Sequence, residues 1–442
     1  MKRRLLVAIA LILSANALYA PYINRIMMCD EANTLFQYSS NLLRALLSYA
    51  TPNNHMLHSA LVWTVTNLAG TSTVAVRFTA LASALIATAL MFRVGSRLAG
   101  MRAGVAAAAF LITNLAFADF AVNARGYSLS VMLTLLLIDR LFLTEAIYSR
   151  RYRYSLMAIS FALILLLPSM LMLIAAAGVW IVWRGRTQRR YRSLLAPLIT
   201  GVAVAAAFYA PAFLQGVVSE HLNAFGETDL LVLLQLCLEQ LFGTPGIGLL
   251  FAGSCVAGVA VLARRYRLAR QTIVTVVGVT VLVAIAQMIV LHKLFYARNY
   301  LFLIAPVALL GGVGFSRMAR RWTTALAVVV LVGSSIPLRA LDGDYLEKQV
   351  LARVEQNVGA HDQIAAGPCF NAPIQYHLLH NGESEKLFTS PETERVFVLV
   401  REGTYEDVLG YYAMQDKVTA CQPVTDGSWS PFEVYTCQPI AP

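Results

Sequence analysis

Charge is scarce in this 442-residue chain: Asp, Glu, Lys and Arg make up 13% of it, against 58% hydrophobic residues. Soluble domains carry about 25% charged side chains, so there are too few polar groups here to cover a soluble surface of this size. Negative charge is absent where positive charge gathers. The segments Lys2–Arg4, Arg93–Arg102, Arg150–Arg153, Arg184–Arg192, Arg264–Arg270 and Arg317–Arg321 hold 21 of the 35 basic residues and contain no Asp or Glu. They alternate with apolar runs of about 20 residues, the length that crosses a bilayer core. The net charge of +11 is therefore the positive-inside pattern of a polytopic membrane chain, not a nucleic-acid footprint.

Other signals are missing as well. The sequence has no Gly-rich phosphate loop and no Ser nucleophile elbow. No cytosolic loop is long enough to form a nucleotide-binding domain. His55 and His58 suggest a metal site, but no complete ligand set has recognisable spacing. Internal repeats and low-complexity tracts are absent.

What is present is an all-α polytopic membrane protein of eleven expected spans, with a small C-terminal α/β domain. The membrane module covers 1–341 and the tail 342–442. Leu5–Pro21 opens like a signal peptide; because the rest of the chain is membrane-embedded, it reads as a retained first helix, and its cleavage would leave the topology unchanged. Residues 23–73 form a first outer loop, in which Leu57–Leu68 is short enough to lie in the interface. Further spans fall near 74–92, 103–122, 127–147, 193–215, 245–262, 271–291, 299–316 and 322–339. The stretch 154–183 is 30 residues long with Arg clusters at both ends. As one helix of about 45 Å it would strand one cluster outside; a split at Pro168 gives two short helices and returns both clusters to the cytoplasm. In the outer loop 216–244, Leu230–Leu241 reads as a surface helix, with a re-entrant helix as the rival. The basic clusters put the N-terminus in the cytoplasm of an integral plasma (inner) membrane protein, and the odd span count then puts the tail on the extracytoplasmic, periplasmic side.

The tail carries 15 acidic and 6 basic residues, a net of −9. Tyr345–Val358 and Tyr405–Tyr411 have helical character and Val396–Val400 reads as a strand. Cys369, Cys421 and Cys437 lie there. In an oxidising compartment Cys421–Cys437 is the favoured disulfide, with three free thiols nearly as well supported.

Polar residues collect at the outer ends of the spans. Asp30 and Glu31 stand where the first helix leaves the bilayer, where a partly desolvated carboxylate can act as a base. Spacing alone fits a solvated helix start at least as well. Pro52-Asn53-Asn54-His55 follows. Asp119, Asn123, Arg125 and Tyr127 gather at one outer turn, and His292, Lys293, Arg298, Asn299 and Tyr300 at another. Arg125 and Arg298 run against the topological trend. A cation kept there suits a lipid phosphate; a headgroup anchor is the ordinary alternative.

With these residues in place the chain resembles the GT-C fold of membrane glycosyltransferases, in the group that includes protein O-mannosyltransferases and the lipid A aminoarabinose transferase. The resemblance rests on Asp30-Glu31 after the first helix and Asn54-His55-Met56-Leu57 before a short apolar helix. It also rests on the span from Ala75-Val76-Arg77-Phe78 to Arg97-Leu98-Ala99-Gly100, on Ala124-Arg125-Gly126-Tyr127, and on Ala297-Arg298-Asn299-Tyr300-Leu301 with Pro306. It covers about residues 1–320. Where the family often has Pro-Pro after the His, Met56-Leu57 stands here.

The resemblance implies an inverting transferase that uses a polyprenyl-phosphate-linked sugar, because nucleotide sugars are cytosolic and the candidate site faces outward. Asp30 is then the base that deprotonates a hydroxyl of a glycan, lipid or protein acceptor. Arg125 and Arg298, with Lys293, stabilise charge on the leaving phosphate; Tyr127 and Tyr300 line the same region. Glu31, His55 and Asp119 position the acceptor or, less favoured, a divalent cation; no metal or other cofactor is expected. The rivals are a lipid-linked oligosaccharide transferase on the same fold and a transporter or flippase. A transporter predicts ionisable residues deep in mid-span, where only Asp139 and Arg140 lie.

Overall fold

The structure, a computed structural model, describes residues 2–49, 54–143, 149–214, 230–243, 247–265, 275–283, 285–286, 296–318, 346–359, 361–367, 371–381, 394–400, 405–411, 418–424 and 433–440. It forms two compact units: Met1–Ile23 with Tyr38–Leu341, and Asn24–Gln37 with Asp342–Pro442.

Helix α1 (Lys2–Tyr19) opens the chain, and α2 (Cys29–Asn33), which belongs to the second unit, follows. The first unit continues with α3 (Leu42–Leu47), α4 (Met56–Ala69), α5 (Thr73–Ala99), α6 (Met101–Thr113), α7 (Leu115–Ala121) and α8 (Tyr127–Leu143). Then come α9 (Arg150–Leu166), α10 (Leu171–Thr187), α11 (Leu195–Phe208), α12 (Ala210–Leu214), α13 (Leu230–Phe242), α14 (Ile247–Arg265) and α15 (Ile304–Met318). Among the described residues five helical stretches are long and apolar enough to cross a bilayer: Lys2–Tyr22, Thr73–Ala99, Pro168–Thr187, Arg189–Phe208 and Ala297–Met318. The pair α6–α7 makes a sixth if its 71° bend is taken as a break within one span. Residues 271–274, 284 and 287–291 of the span expected at 271–291, and all of that at 322–339, lie outside the described residues.

Local chemistry sets the breaks. Leu167, the residue before Pro168, is extended at φ −150° and ψ 121°, because the proline ring bars it from the helical region. Helix α9 therefore ends at Leu166, and 154–183 is split where expected. The span expected over 103–122 is not straight. Asn114 accepts a hydrogen bond from Phe117 N–H at 2.8 Å, capping α7. Its amide nitrogen donates to the carbonyls of Gln240 and Leu241, at 2.8 and 3.1 Å, at the end of α13. One side chain thus satisfies a backbone N–H at the start of α7 and two carbonyls at the end of α13.

Small residues bring the helices together. A Cβ on Gly104 of α6 would lie 2.4 Å from the Phe92 carbonyl oxygen of α5, so only glycine permits this crossing. Tyr19 of α1 donates its hydroxyl to the Ile112 carbonyl at 2.9 Å, which ties the first helix to α6. Exposed apolar side chains such as Leu6, Leu13, Leu171, Ile199 and Val256 suit a surface solvated by lipid. Asp139, one of the two residues placed mid-span by the sequence, bonds Arg97 at 2.7 Å and Arg93 at 3.3 Å, which locks α8 to α5.

The second unit is an α/β layer. Helix α16 (Leu346–Asn357), strand β1 (Asp362–Ala366), helix α17 (Asn371–His380), strand β2 (Arg395–Val400), helix α18 (Tyr405–Tyr411) and strands β3 (Val418–Pro423) and β4 (Glu433–Pro439) follow one another. The sheet order is β1-β2-β4-β3, with β1 parallel to β2 and the other pairs antiparallel. Side chains alternate between the two faces. Ile364, Phe397, Leu399 and Val434 join Leu351, Ile374 and Leu378 on one. Val396, Val398, Val400 and Cys437 join Val408 on the other. Asp362 and Arg395 stand in register and form a two-pronged ion pair at 2.8 and 3.0 Å. Cys421 and Cys437 form the favoured disulfide, stapling β3 to β4; Cys369 lies outside the described residues.

Candidate functional site

In the first unit, polar side chains converge at the start of α4. Asn54 fixes the approach: its amide nitrogen donates to the carbonyls of Ala45 and Ser48, at 3.1 and 2.6 Å, while its oxygen accepts from the Ser59 hydroxyl at 2.7 Å. The next residue, His55, is the N-cap of α4 and only 3% exposed. Its Nδ1 accepts the Gly126 N–H at 2.9 Å. Its Nε2 lies 3.2 Å from Nη2 of Arg125, itself buried. The imidazole meets the Tyr127 ring edge-on at 4.8 Å, and the Arg125 guanidinium lies 6.0 Å from the same ring. Gly126 is required by the closeness: a Cβ there would fall 2.9 Å from His55 Nδ1 and 2.5 Å from Leu166 Cδ1.

Both groups facing His55 are donors, and a neutral imidazole has a single acceptor nitrogen. Protonation would place N–H groups against donors on both sides. Burial, then the charge of Arg125, then His58 and Arg298 hold the His55 pKa well below its ordinary value. His58 sits one turn further on the same face, fully buried, with neither ring nitrogen hydrogen-bonded among the described residues. Burial and the charge of Arg125 push it down to about 3. Two neutral imidazoles thus sit beside a permanent cation.

Around this centre stand several other residues. Tyr49 meets Tyr209 edge-on at 5.1 Å, and its phenol is held up by burial first and then by Tyr38 and Tyr127. Arg298 is half-buried, 4.9 Å from the Tyr296 ring, and its charge is felt at His55. Tyr300 is buried beside Met172, Leu233 and Ala297, and its hydroxyl has no hydrogen-bond partner among the described residues. Asp119 is half-buried on α7, next to Phe120, whose ring packs 4.4 Å from Tyr127. Lys293 and His292 lie outside the described residues.

Asp30 and Glu31 are carried by α2 in the second unit. They differ there in a way their adjacency hides. Glu31 is fully buried and its carboxylate accepts the Met28 N–H at 3.0 Å, capping the helix. Asp30 is half-buried, and its backbone carbonyl accepts the Thr34 hydroxyl at 2.9 Å. Of the two residues, Asp30 is the more exposed.

The structure therefore brings His55, Arg125 and Tyr127 into contact in one unit and sets Asp30 and Glu31 on a short helix of the other. Sequence reasoning passed over Tyr49, and it weighed His58 only as a metal ligand; the three-residue spacing from His55 was the available signal. Among the described residues no three His, Cys, Asp or Glu side chains group as a metal site.

No protein-family model matches this sequence, and no curated protein matches it. Solved structures do. ArnT from Cupriavidus metallidurans in the apo state covers 98% of both chains with a TM-score of 0.64 at 11% identity. The same protein bound to undecaprenyl phosphate aligns over 97% of both with the same TM-score and identity. The Archaeoglobus fulgidus oligosaccharyltransferase in complex with Zn and sulfate aligns over 98% of this chain and 73% of its own, with a TM-score of 0.54 at 11% identity. The chain is thus similar in fold to GT-C membrane proteins over nearly its whole length, tail included, and the fold is that of a polytopic GT-C protein with a small C-terminal sheet.

Proposed function

We propose that this chain is an inverting glycosyltransferase that moves a sugar from a polyprenyl-phosphate donor to an acceptor hydroxyl, at the outer face of the plasma (inner) membrane. The observation that carries the reading is the likeness in fold to ArnT over 98% of the chain, including a structure bound to undecaprenyl phosphate. A fold hosts many chemistries, so the roles are argued from residues. Asp30 takes the proton of the acceptor hydroxyl as its oxygen attacks the anomeric carbon. The bond from that carbon to the phosphate oxygen breaks, and the electron pair leaves with the lipid phosphate. Arg125 and Arg298, with Lys293, offset the negative charge that grows there. Neutral His55 and His58 add no second positive charge beside Arg125, and the ring nitrogens of His58 are the ones there with hydrogen-bonding capacity left among the described residues. Asp119 contributes to acceptor placement. No metal enters this scheme.

Removing a well-placed general base costs about 10²–10⁴ in rate. Asp30→Asn is expected to abolish transfer from a polyprenyl-phosphate sugar while expression and folding persist; full activity in that variant would sink the assignment. The orientation has its own test. A reporter active only outside the cytoplasm should be active when fused after Pro442, and an inactive fusion on a stable protein would overturn it.

The oligosaccharyltransferase likeness favours a second reading, transfer of a lipid-linked oligosaccharide. Donor size separates the two: the first accepts undecaprenyl-phosphate monosaccharides, the second only a long lipid-linked glycan.

A further inference from the structure

We infer that the C-terminal domain is the platform that holds the Asp30 segment in place, with Tyr376 as its positioning residue; this rests on the proposed role of Asp30. Residues Asn24–Gln37 belong to the same compact unit as the tail, although about 300 residues of helical bundle separate them in sequence. Helix α2 packs against α17 of the tail. The Phe36 ring lies 6.5 Å from that of Tyr376, and Tyr376 is in turn stacked on His380 at 4.0 Å. Ile26 packs against the tail core that contains Leu351, Ile374, Leu378 and Phe397. Cys29, Glu31 and Ala32 are buried in the same segment.

A five-residue helix continued only by the π-helical turn Thr34–Tyr38 is too short to be stable by itself, because nucleation costs more than so few hydrogen bonds return. Its local bonds, Met28 N–H to Glu31, Asn33 to Cys29 and Gln37 to Asn33, hold it only while its buried side is docked. The orientation of Asp30 therefore depends on contacts with α17 and the tail core. A base displaced by about 1 Å can lose 10²-fold in rate, so the tail governs turnover through Asp30 without touching substrate.

The test uses the full-length protein in lipid nanodiscs. Tyr376→Ala should speed amide hydrogen exchange across residues 26–37 by about tenfold or more, which corresponds to about 1.4 kcal/mol of lost docking. Exchange in α5 and α8 should stay unchanged, and Tyr376→Phe, which keeps the ring, should retain wild-type protection. Phe36→Ala removes the contact from the loop side and leaves the tail core intact, so it decides the matter if Tyr376→Ala unfolds the tail. Unchanged exchange across 26–37 in Phe36→Ala, with β1–β4 still protected, would overturn the inference. With a panel of synthetic undecaprenyl-phosphate monosaccharides, both Ala variants should lower kcat with little change in KM, and Tyr376→Phe should restore it. Full turnover in Asp30→Asn together with loosened exchange in Phe36→Ala would refute the base and leave the docking established.

Discussion

Gly126 is the position where the packing around His55 is most open to a quantitative challenge. In Gly126→Ala the new methyl carbon would lie 2.5 Å from Leu166 Cδ1 and 2.9 Å from His55 Nδ1. Comfortable contacts between such atoms run at about 3.5–4.0 Å, so about 1 Å must be found on both sides. Leu166 can turn its tip away. His55 is held by the Gly126 N–H at 2.9 Å and by the edge-on Tyr127 ring, so it must give up at least one of these. Overpacking of this kind costs about 1–3 kcal/mol, and a weakened hydrogen bond adds about 1 kcal/mol. The purified protein should therefore lose about 2–4 kcal/mol in a reversible unfolding titration. In a His55→Ala background the clash with the imidazole is gone, so the added cost of Gly126→Ala should fall by about 1 kcal/mol or more, the coupling expected of side chains in contact. A Gly126→Ala variant as stable as wild type, or a cost that stays the same with and without His55, would refute the packing argument.

The two buried histidines predict a pH dependence with a definite sign. Their native pKa values lie below the ordinary His value, so the unfolded chain takes up protons below about pH 6.5 that the native protein refuses. Stability should be full above about pH 7 and fall as pH drops through 6.5, by up to about 1.4 kcal/mol per pH unit for each imidazole. Thermal unfolding of wild type and His58→Gln across this range checks it; identical slopes would remove His58 from the account. The disulfide closes a loop with a sequence separation of 16. Cys421→Ser should destabilise the tail by about 3 kcal/mol in the chain-entropy estimate, read as faster exchange in β3 and β4, and unaltered protection there would contradict it.

Much of the membrane unit was legible because lipid imposes a one-dimensional rule. Apolar runs, Arg clusters and Pro168 each act locally, so the first helix, the short helix after His55 and the break at Leu167–Pro168 could be read from order alone. So could the Cys421–Cys437 pair as the favoured one of several. The tail was read only in part: strands β1, β3 and β4 and helix α17 gave no clear local signal, because a sheet is specified by pairing between distant segments. The bend within the span expected over 103–122 was not legible either, since Asn114 there bonds the end of α13, more than a hundred residues away.

Sequence alone fixed which residues were candidates and the alternation of apolar and basic segments, since hydropathy and charge belong to each residue wherever it folds. Tertiary structure decided their environments. It buried Glu31 as a cap and left Asp30 more open, it set Arg125 against a neutral His55, and it joined residues 24–37 to a tail that follows the whole bundle. Burial, hydrogen-bond partners and docking are properties of neighbours in space, and only the folded chain supplies them.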